Sequence, residues 1–267
     1  MSTLLHPPSS NCAEFKQQVI AHYSGSNKLH NDAGKAHELY QTSIMSALMQ
    51  GVYEGKVTFG QLSEHGDFGL GTFNDLDGEM VGFDGRFYQL RADGSAHPVE
   101  PAQKTPFATV NFFRDGIVEG VHRPLSKQDF PDLVHHLVKT DNLFFAIRVD
   151  GWFASVRTRT VSIQAPPFRK LTEVTSEQKE FEFRDVRGTL AGYRSPDYAQ
   201  GLTVAGYHLH FLTDDKAGGG HVLDFMLRDG VIRIDPYSSL FVALPETPEF
   251  ETARLGIDNE DIEKAEG

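Results

Sequence analysis

"GYHLHFLTDDKAGGGHVLDF", residues 206–225, reads as two strands joined by a turn. Asp and Gly crowd the middle of the stretch, and apolar alternation flanks them. In a strand, residues two apart project from the same face, so His208 and His210 point together. Pairing the strands as a hairpin sets His210 opposite His221, with Cβ atoms roughly 5 Å apart. His208 is then the next residue along that face, and three imidazoles converge. The glycines of the turn let backbone come close. A neutral imidazole binds Zn²⁺ at ~2.0–2.1 Å, and three of them leave a fourth position open for water or substrate. No further Cys or His lies nearby, which favours a catalytic over a structural site. The competing reading is an ordinary HxH pair of surface or half-buried rings. The third histidine, in register, tips the balance to zinc held by His208, His210 and His221. His135 and His136 read as the polar side of a helix.

Outward from this hairpin the period of two continues. Six Asp-Gly pairs, at 77–78, 84–85, 93–94, 115–116, 150–151 and 229–230, sit between apolar runs and predict a meander of hairpins. One of these is "LFFAIRVDGWFASVRTRTVSI" (143–163). Helical spacing appears over 41–53, in a capped turn from Thr58, and after Ser126, where Phe130, Leu133, Val134, Leu137 and Val138 form an apolar stripe. A short helix capped by Asn11 is expected in the N-terminal arm. Pro166-Pro167 and the charged stretch 173–182 read as a linker, with a second β-rich unit from about Phe183 to Leu244. "GEMVGFDGRFYQL" (78–90) echoes "GHVLDFMLRDGVIRI" (220–234). The expected fold is therefore α/β of the α+β type, with two tandem β-rich domains of mixed sheets and a few packing helices. The divisions are an arm over 1–37, an N-terminal α/β domain over 38–172, and a metal-binding β-rich domain with its tail over 173–267.

Composition narrows the partners. The net charge of −12 disfavours nucleic acid and anionic membrane surfaces, both of which need a basic face. No apolar run reaches the ~18–20 residues of a membrane helix. The N-terminus shows neither a basic n-region nor a long apolar h-region, so the cytoplasm is the expected location. Cys12 stands alone, which excludes an internal disulfide and a thiolate metal cluster. The glycines of "GDFGLGTF" (66–73) lack the strand-to-helix context and the lysine of a phosphate loop.

Five stretches carry a family likeness: "YQTSIMSALMQGVYEG" (40–55), "GDFGLGTFNDLDGEMVGFDGRFYQLRADG" (66–94), "NLFFAIRVDGWFASVRTRTV" (142–161), "VRGTLAGYRSPDYAQGLTVAGYHLHFLTDDKAGGGHVLDF" (186–225) and the closing "DIEKAEG". With them the chain resembles bacterial α-acetolactate decarboxylase from Tyr40 to its end. The resemblance implies a two-domain α/β homodimer acting on 2-acetolactate, with zinc on the same three histidines. It also implies an active-site Glu after the Leu-Asp-Gly turn, here Glu79. It implies an Arg in "RTRTV", here Arg159, and a second Glu near the C-terminus, here Glu266, with Glu263 as the alternative. The residues alone leave Glu79 readable as a solvated strand start and Arg157 with Arg159 as a surface pair.

Two rival classes share the HxH strand. A cupin-like oxygenase usually adds a Glu a few residues on, whereas Thr213 and Asp214 stand there. The plant-and-prokaryote-conserved domain, a non-enzymatic module, is about half this length, and no basic hook is present.

Overall fold

The computed structural model describes residues 37–256 together with Ile262 and Ala265. Asn11 and its expected helix, Glu263 and Glu266 lie outside the described residues.

The chain folds mainly as strands, with short helices between them. The first sheet has seven strands. In spatial order they are β15 (Leu240–Ala243), β1 (Leu39–Thr42), β8 (Ala108–Asn111), β3 (Phe68–Thr72), β4 (Glu79–Phe83), β5 (Arg86–Leu90) and β6 (Ala96–Pro98). It is mixed, because β15 runs parallel to β1 while the other pairs are antiparallel. The Asp84-Gly85 pair turns β4 into β5, with φ of 54° and 70° at its two residues. A turn of this kind needs positive φ at both positions, which explains the Asp-Gly choice.

The second sheet has six strands. Four of them are β11 (Phe144–Thr160), β12 (Lys179–Ser195), β13 (Gly206–Thr213) and β14 (Gly219–Tyr237), while the short β9 (Ile117–Val121) and β10 (Leu125–Ser126) pair with β14. Separately, β2 (Val57–Thr58) pairs with β7 (Lys104–Thr105). Each of the four strands β11 to β14 pairs antiparallel with the next, and β14 pairs with both β13 and β11. The four strands therefore close on themselves. Phe153, Phe211 and Phe225 fill the enclosed core. α3 (Phe130–Val138) covers it through Phe130, Val134 and Val138. Its start differs slightly from expectation: Asp129 is the N-cap, and Ser126 Oγ accepts from the Asp129 backbone N–H at 3.1 Å.

The two sheets pack face to face. Phe68, Leu70, Val81 and Leu90 of the first meet Ala146, Ala191, Tyr193 and Leu212 of the second. The sheets do not follow the expected division at 172/173, since β11 before it pairs with β12 and β14 after it. The described residues from Glu38 onward pack as one compact unit. The stretch 173–182 is no open linker: it holds most of α4 (Leu171–Thr175) and the start of β12.

Three further expectations are corrected. Residues 41–42 belong to β1, and only Met45–Met49 form the helix α1. Asp150-Gly151 and Asp229-Gly230 are not turns but lie inside β11 and β14. Gly151 pairs with both Gly188 and Gly230, and Asp150 is anchored by Arg148, Arg233 and Thr189. Side-chain bonds satisfy this Asp within a ladder, and glycines side by side let three strands come close without a turn. For the same reason the echo between 78–90 and 220–234 is one of sequence alone. The first is a hairpin, and the second lies within one strand. Among the described residues, no helix is long and apolar enough to cross a membrane.

Candidate metal centre and active site

His208 and His210 lie on β13, and His221 lies near the start of β14. The ladder between these strands sets His210 directly opposite His221. Glycines permit this register. A Cβ on Gly219 would stand 2.1 Å from the Phe211 carbonyl oxygen, and one on Gly220 would stand 2.6 Å from the Arg159 carbonyl oxygen. A side chain at either position would push β14 away just before His221.

The three rings converge. Their centres are 5.1 Å (His208–His210), 5.1 Å (His208–His221) and 5.4 Å (His210–His221) apart. Rings bound through nitrogen at ~2.05 Å around one tetrahedral ion would have centres about 5.2 Å apart. One nitrogen from each histidine lies within 4.8 Å of the others. The donor set thus fits a single metal ion.

The electrostatics agree. All three rings are buried. Burial, the neighbouring imidazole and Arg159 push His208 well below the usual histidine range. Burial also lowers His210, to about 4, against a weaker raising effect of the Met80 carbonyl. His221 falls well below its usual value through burial and then through Arg159. Neutral imidazole is the ligand form, so no proton has to leave before an ion binds.

β4 of the first sheet orients one ring. His210 Nδ1–H donates to the Met80 carbonyl oxygen at 2.7 Å. A carbonyl only accepts, so the proton sits on Nδ1 and the lone pair on Nε2. Nε2 is buried and has no hydrogen-bond partner among the described residues. Glu79 Oε2 stands 3.7 Å from it. Adjacent residues of one strand thus do two jobs: Met80 fixes the ring through its backbone, and Glu79 presents its side chain beside it. Metal-bound histidines are generally held by such outer contacts. Sequence reading did not find Met80, because a backbone carbonyl leaves no trace in residue type.

The two arginines separate. Arg157 is half exposed and pairs with Glu180 at 3.0 Å. Arg159 is buried and faces His221 across the β11–β14 ladder. The β11–β14 ladder shifts register between Arg157 and Thr158, with Leu223 of β14 as the extra residue, so Arg157 stands opposite Asp224 and Arg159 opposite His221. Arg159 donates to Gln178 Oε1 at 3.1 Å and to the Ala265 carbonyl oxygen. The second contact ties the buried Ala265 to the site. Gln178 is a further residue that sequence reading missed.

A narrow cavity of ≈ 20 Å³ opens between these groups, with His208, Glu79, Arg159, Thr72 and Thr175 on its polar side. The arrangement joins a metal-ready histidine cluster, a carboxylate and a guanidinium around one small space. It can hold a small anion, stabilise negative charge on its oxygens, and exchange a proton with it.

Comparison with known proteins agrees with this chemistry. The sequence profile of a family described as alpha-acetolactate decarboxylase matches residues 39–257. The chain is 45% identical over 256 residues to a protein named Alpha-acetolactate decarboxylase from Raoultella terrigena, spanning 96% of each chain. It is 42% identical over 234 residues to the protein of that name from Bacillus subtilis strain 168, covering 86% of this chain and 91% of that one. The crystal structure of alpha-acetolactate decarboxylase from Bacillus subtilis strain 168 superposes with a TM-score of 0.85 at 41% identity, over 86% of this chain and 99% of that one.

Proposed function

Since the chain belongs to the alpha-acetolactate decarboxylase family and is a carboxy-lyase, we propose that it converts 2-acetolactate to acetoin and CO₂ at a zinc centre held by His208, His210 and His221. The observation that carries the reading is the convergence of three buried, neutral imidazoles beside Glu79 and Arg159. When bound, Zn²⁺ supplies a Lewis acid whose charge three neutral ligands leave uncompensated. The donor set fits zinc by softness, and no cysteine stands among these ligands.

The substrate's ketone is β to its carboxylate, so it carries its own electron sink and needs no organic cofactor. Arg159 holds the carboxylate with its planar fork. The bond between carbon 2 and the carboxylate breaks, CO₂ leaves, and the electron pair moves onto the ketone oxygen as an enediolate. Arg159 then opposes the remaining negative charge. Carbon 2 must gain a proton to give acetoin. Glu79, with its carboxylate near His210 and its side chain only 12% exposed, is placed to handle that proton or the hydroxyl's. The family likeness adds Glu266, outside the described residues, as a second acid–base group. It also suggests that the enzyme works as a homodimer.

Purified protein incubated with 2-acetolactate should yield one acetoin and one CO₂ per substrate consumed. Chelation should abolish this, and zinc should restore it. Undiminished turnover in metal-free protein would overturn the zinc reading, and no acetoin at full zinc loading would overturn the reaction.

A further inference from the structure

Arg159 stands opposite a carboxylate as well as a histidine. Across the β11–β12 ladder its partner is Glu180. Opposed residues of an antiparallel pair share a face, so these two opposite charges are natural partners. The Glu180 carboxylate nevertheless turns elsewhere. Its Oε2 pairs diagonally with Arg157 Nη1 at 3.0 Å, and its Oε1 accepts from the Gln178 Nε2 amide at 3.5 Å. Gln178 in turn accepts from Arg159 Nη1 through Oε1 at 3.1 Å. A guanidinium only donates and a carboxylate only accepts, so the amide fits between them in one orientation, with its oxygen toward Arg159 and its nitrogen toward Glu180. The turn after α4 fixes it there, because the Gln178 backbone N–H donates to the Thr175 carbonyl oxygen at 3.2 Å.

We propose that Gln178 is a positioning residue that works as a neutral spacer: it holds Arg159 by a hydrogen bond and keeps the Glu180 carboxylate off it, so that the guanidinium charge stays available to an acid in the site. The proposal rests on the decarboxylation reading above, in which Arg159 grips the substrate carboxylate. Arg157 alone does not restrain Glu180. Their side chains are 50% and 46% exposed, and solvent screens a pair of that kind almost completely. Arg159 is buried, so a carboxylate gains more from it than from Arg157. Without the amide at 178, Glu180 takes the buried partner. The substrate carboxylate then has to displace an internal rival, which raises KM more than it lowers kcat. A glutamate at 178 acts in the same way directly, by setting its own negative charge against Arg159. Glutamine at this position is therefore a matter of charge as well as of shape.

The test is steady-state turnover of 2-acetolactate by zinc-loaded wild type, Gln178→Ala, Gln178→Glu, Glu180→Gln and the double variant Gln178→Ala/Glu180→Gln, with zinc content measured alongside. Gln178→Ala should raise KM about tenfold, the order expected when one charge-assisted hydrogen bond is lost, with a smaller fall in kcat and zinc unchanged. Glu180→Gln should stay within about twofold of wild type, the scale of an exposed ion pair. The double variant should recover most of the lost kcat/KM, because an amide at 180 has no charge to set against Arg159. A purely structural role for Gln178 gives no such rescue. Gln178→Glu should be impaired at least as much as Gln178→Ala, and, being nearly isosteric, it still decides if Gln178→Ala fails to fold. Wild-type KM in either Gln178 variant overturns the spacer, as does a double variant no better than Gln178→Ala. An impaired Glu180→Gln also overturns it, since the carboxylate would then be a helper and not a rival. In all of these outcomes wild-type turnover leaves the decarboxylation reading standing. Absence of turnover in zinc-loaded wild type overturns that reading, and the spacer with it.

Discussion

Arg159 and His221 are directly opposed residues on neighbouring strands, and His221 is in turn opposite His210 on the next strand. One row across three strands therefore carries a guanidinium and two imidazoles. Opposed residues of an antiparallel pair project from the same face. The row explains why Arg159 contributes to keeping His221 neutral, second only to burial.

Arg159→Lys keeps a positive charge in that row, so His221 should stay neutral and metal should remain bound. The planar fork is lost. One charged hydrogen bond is worth about 1.5–3 kcal/mol, so kcat/KM should fall roughly 10–150-fold, with both kcat and KM impaired. Metal content by mass spectrometry alongside acetoin formation checks this. A variant that keeps wild-type kinetics would remove Arg159 from carboxylate binding.

His210→Ala removes the ring whose Nδ1–H is held by Met80. Zinc and activity should disappear together, because two remaining imidazoles make an incomplete site. The far-ultraviolet dichroism should persist, since β13 is also laddered to β12 over eight residue pairs. His135→Ala, an exposed change on α3, should alter neither metal nor rate. Full zinc occupancy in His210→Ala would displace the three-histidine site.

The histidine register was legible because a period of two and a glycine-rich turn leave few ways to set His210 opposite β14, and the short ladder of 210–212 with 219–221 takes the one that meets His221. The Glu79 and Arg159 assignments came from family likeness, and spacing alone left both open. Spacing did not tell Arg157 from Arg159: the exposed one pairs with Glu180, and the buried one is held by Gln178 and Ala265, contacts that no local pattern announces. The long strands were misread as hairpins because Asp150-Gly151 and Asp229-Gly230 carry turn signals. Satisfaction of Asp150 by Thr189 and Arg233, and the pairing of the glycines, depend on contacts distant in sequence. Gln178 and Met80 were invisible for the same reason: each acts on the site through a fold that brings 159 to 178 and 80 to 210.

Asp235 offers a pH test away from the metal. It is buried, accepts from Tyr237 Oη–H at 2.6 Å and from the Arg114 backbone N–H at 2.8 Å, and burial pushes its pKa from 3.8 up to about 6. The folded state then holds this proton more tightly than the unfolded chain. The stabilisation is complete below about pH 4, is lost as pH rises toward 6, and changes no further above that. Asp235→Asn cannot ionise and should lack this fall. The stability of the variant relative to wild type should therefore rise by about 2–3 kcal/mol between pH 4 and pH 7, at ~1.4 kcal/mol per pKa unit. Denaturant titrations at several pH values measure it. Parallel curves for the two proteins would show that Asp235 ionises normally in the fold.

Glu79→Gln separates proton transfer from shape. Glu79 begins β4, its carboxylate stands 3.7 Å from His210 Nε2, and it borders the same cavity as Arg159 and His208. Glutamine keeps the length and an acceptor oxygen but exchanges no proton near neutral pH. The three proposed ligands are untouched, so zinc should remain at wild-type occupancy. The Met80 carbonyl that orients His210 is backbone and should be unmoved. If Glu79 handles a proton in the rate-limiting step, kcat should fall about 10²–10⁴-fold. KM should change far less, because the lost interaction belongs to the transition state and not to the bound substrate. Steady-state acetoin formation in zinc-replete protein reads both parameters. A kcat within about twofold of wild type would return Glu79 to an ordinary strand-start residue and transfer the proton to Glu266.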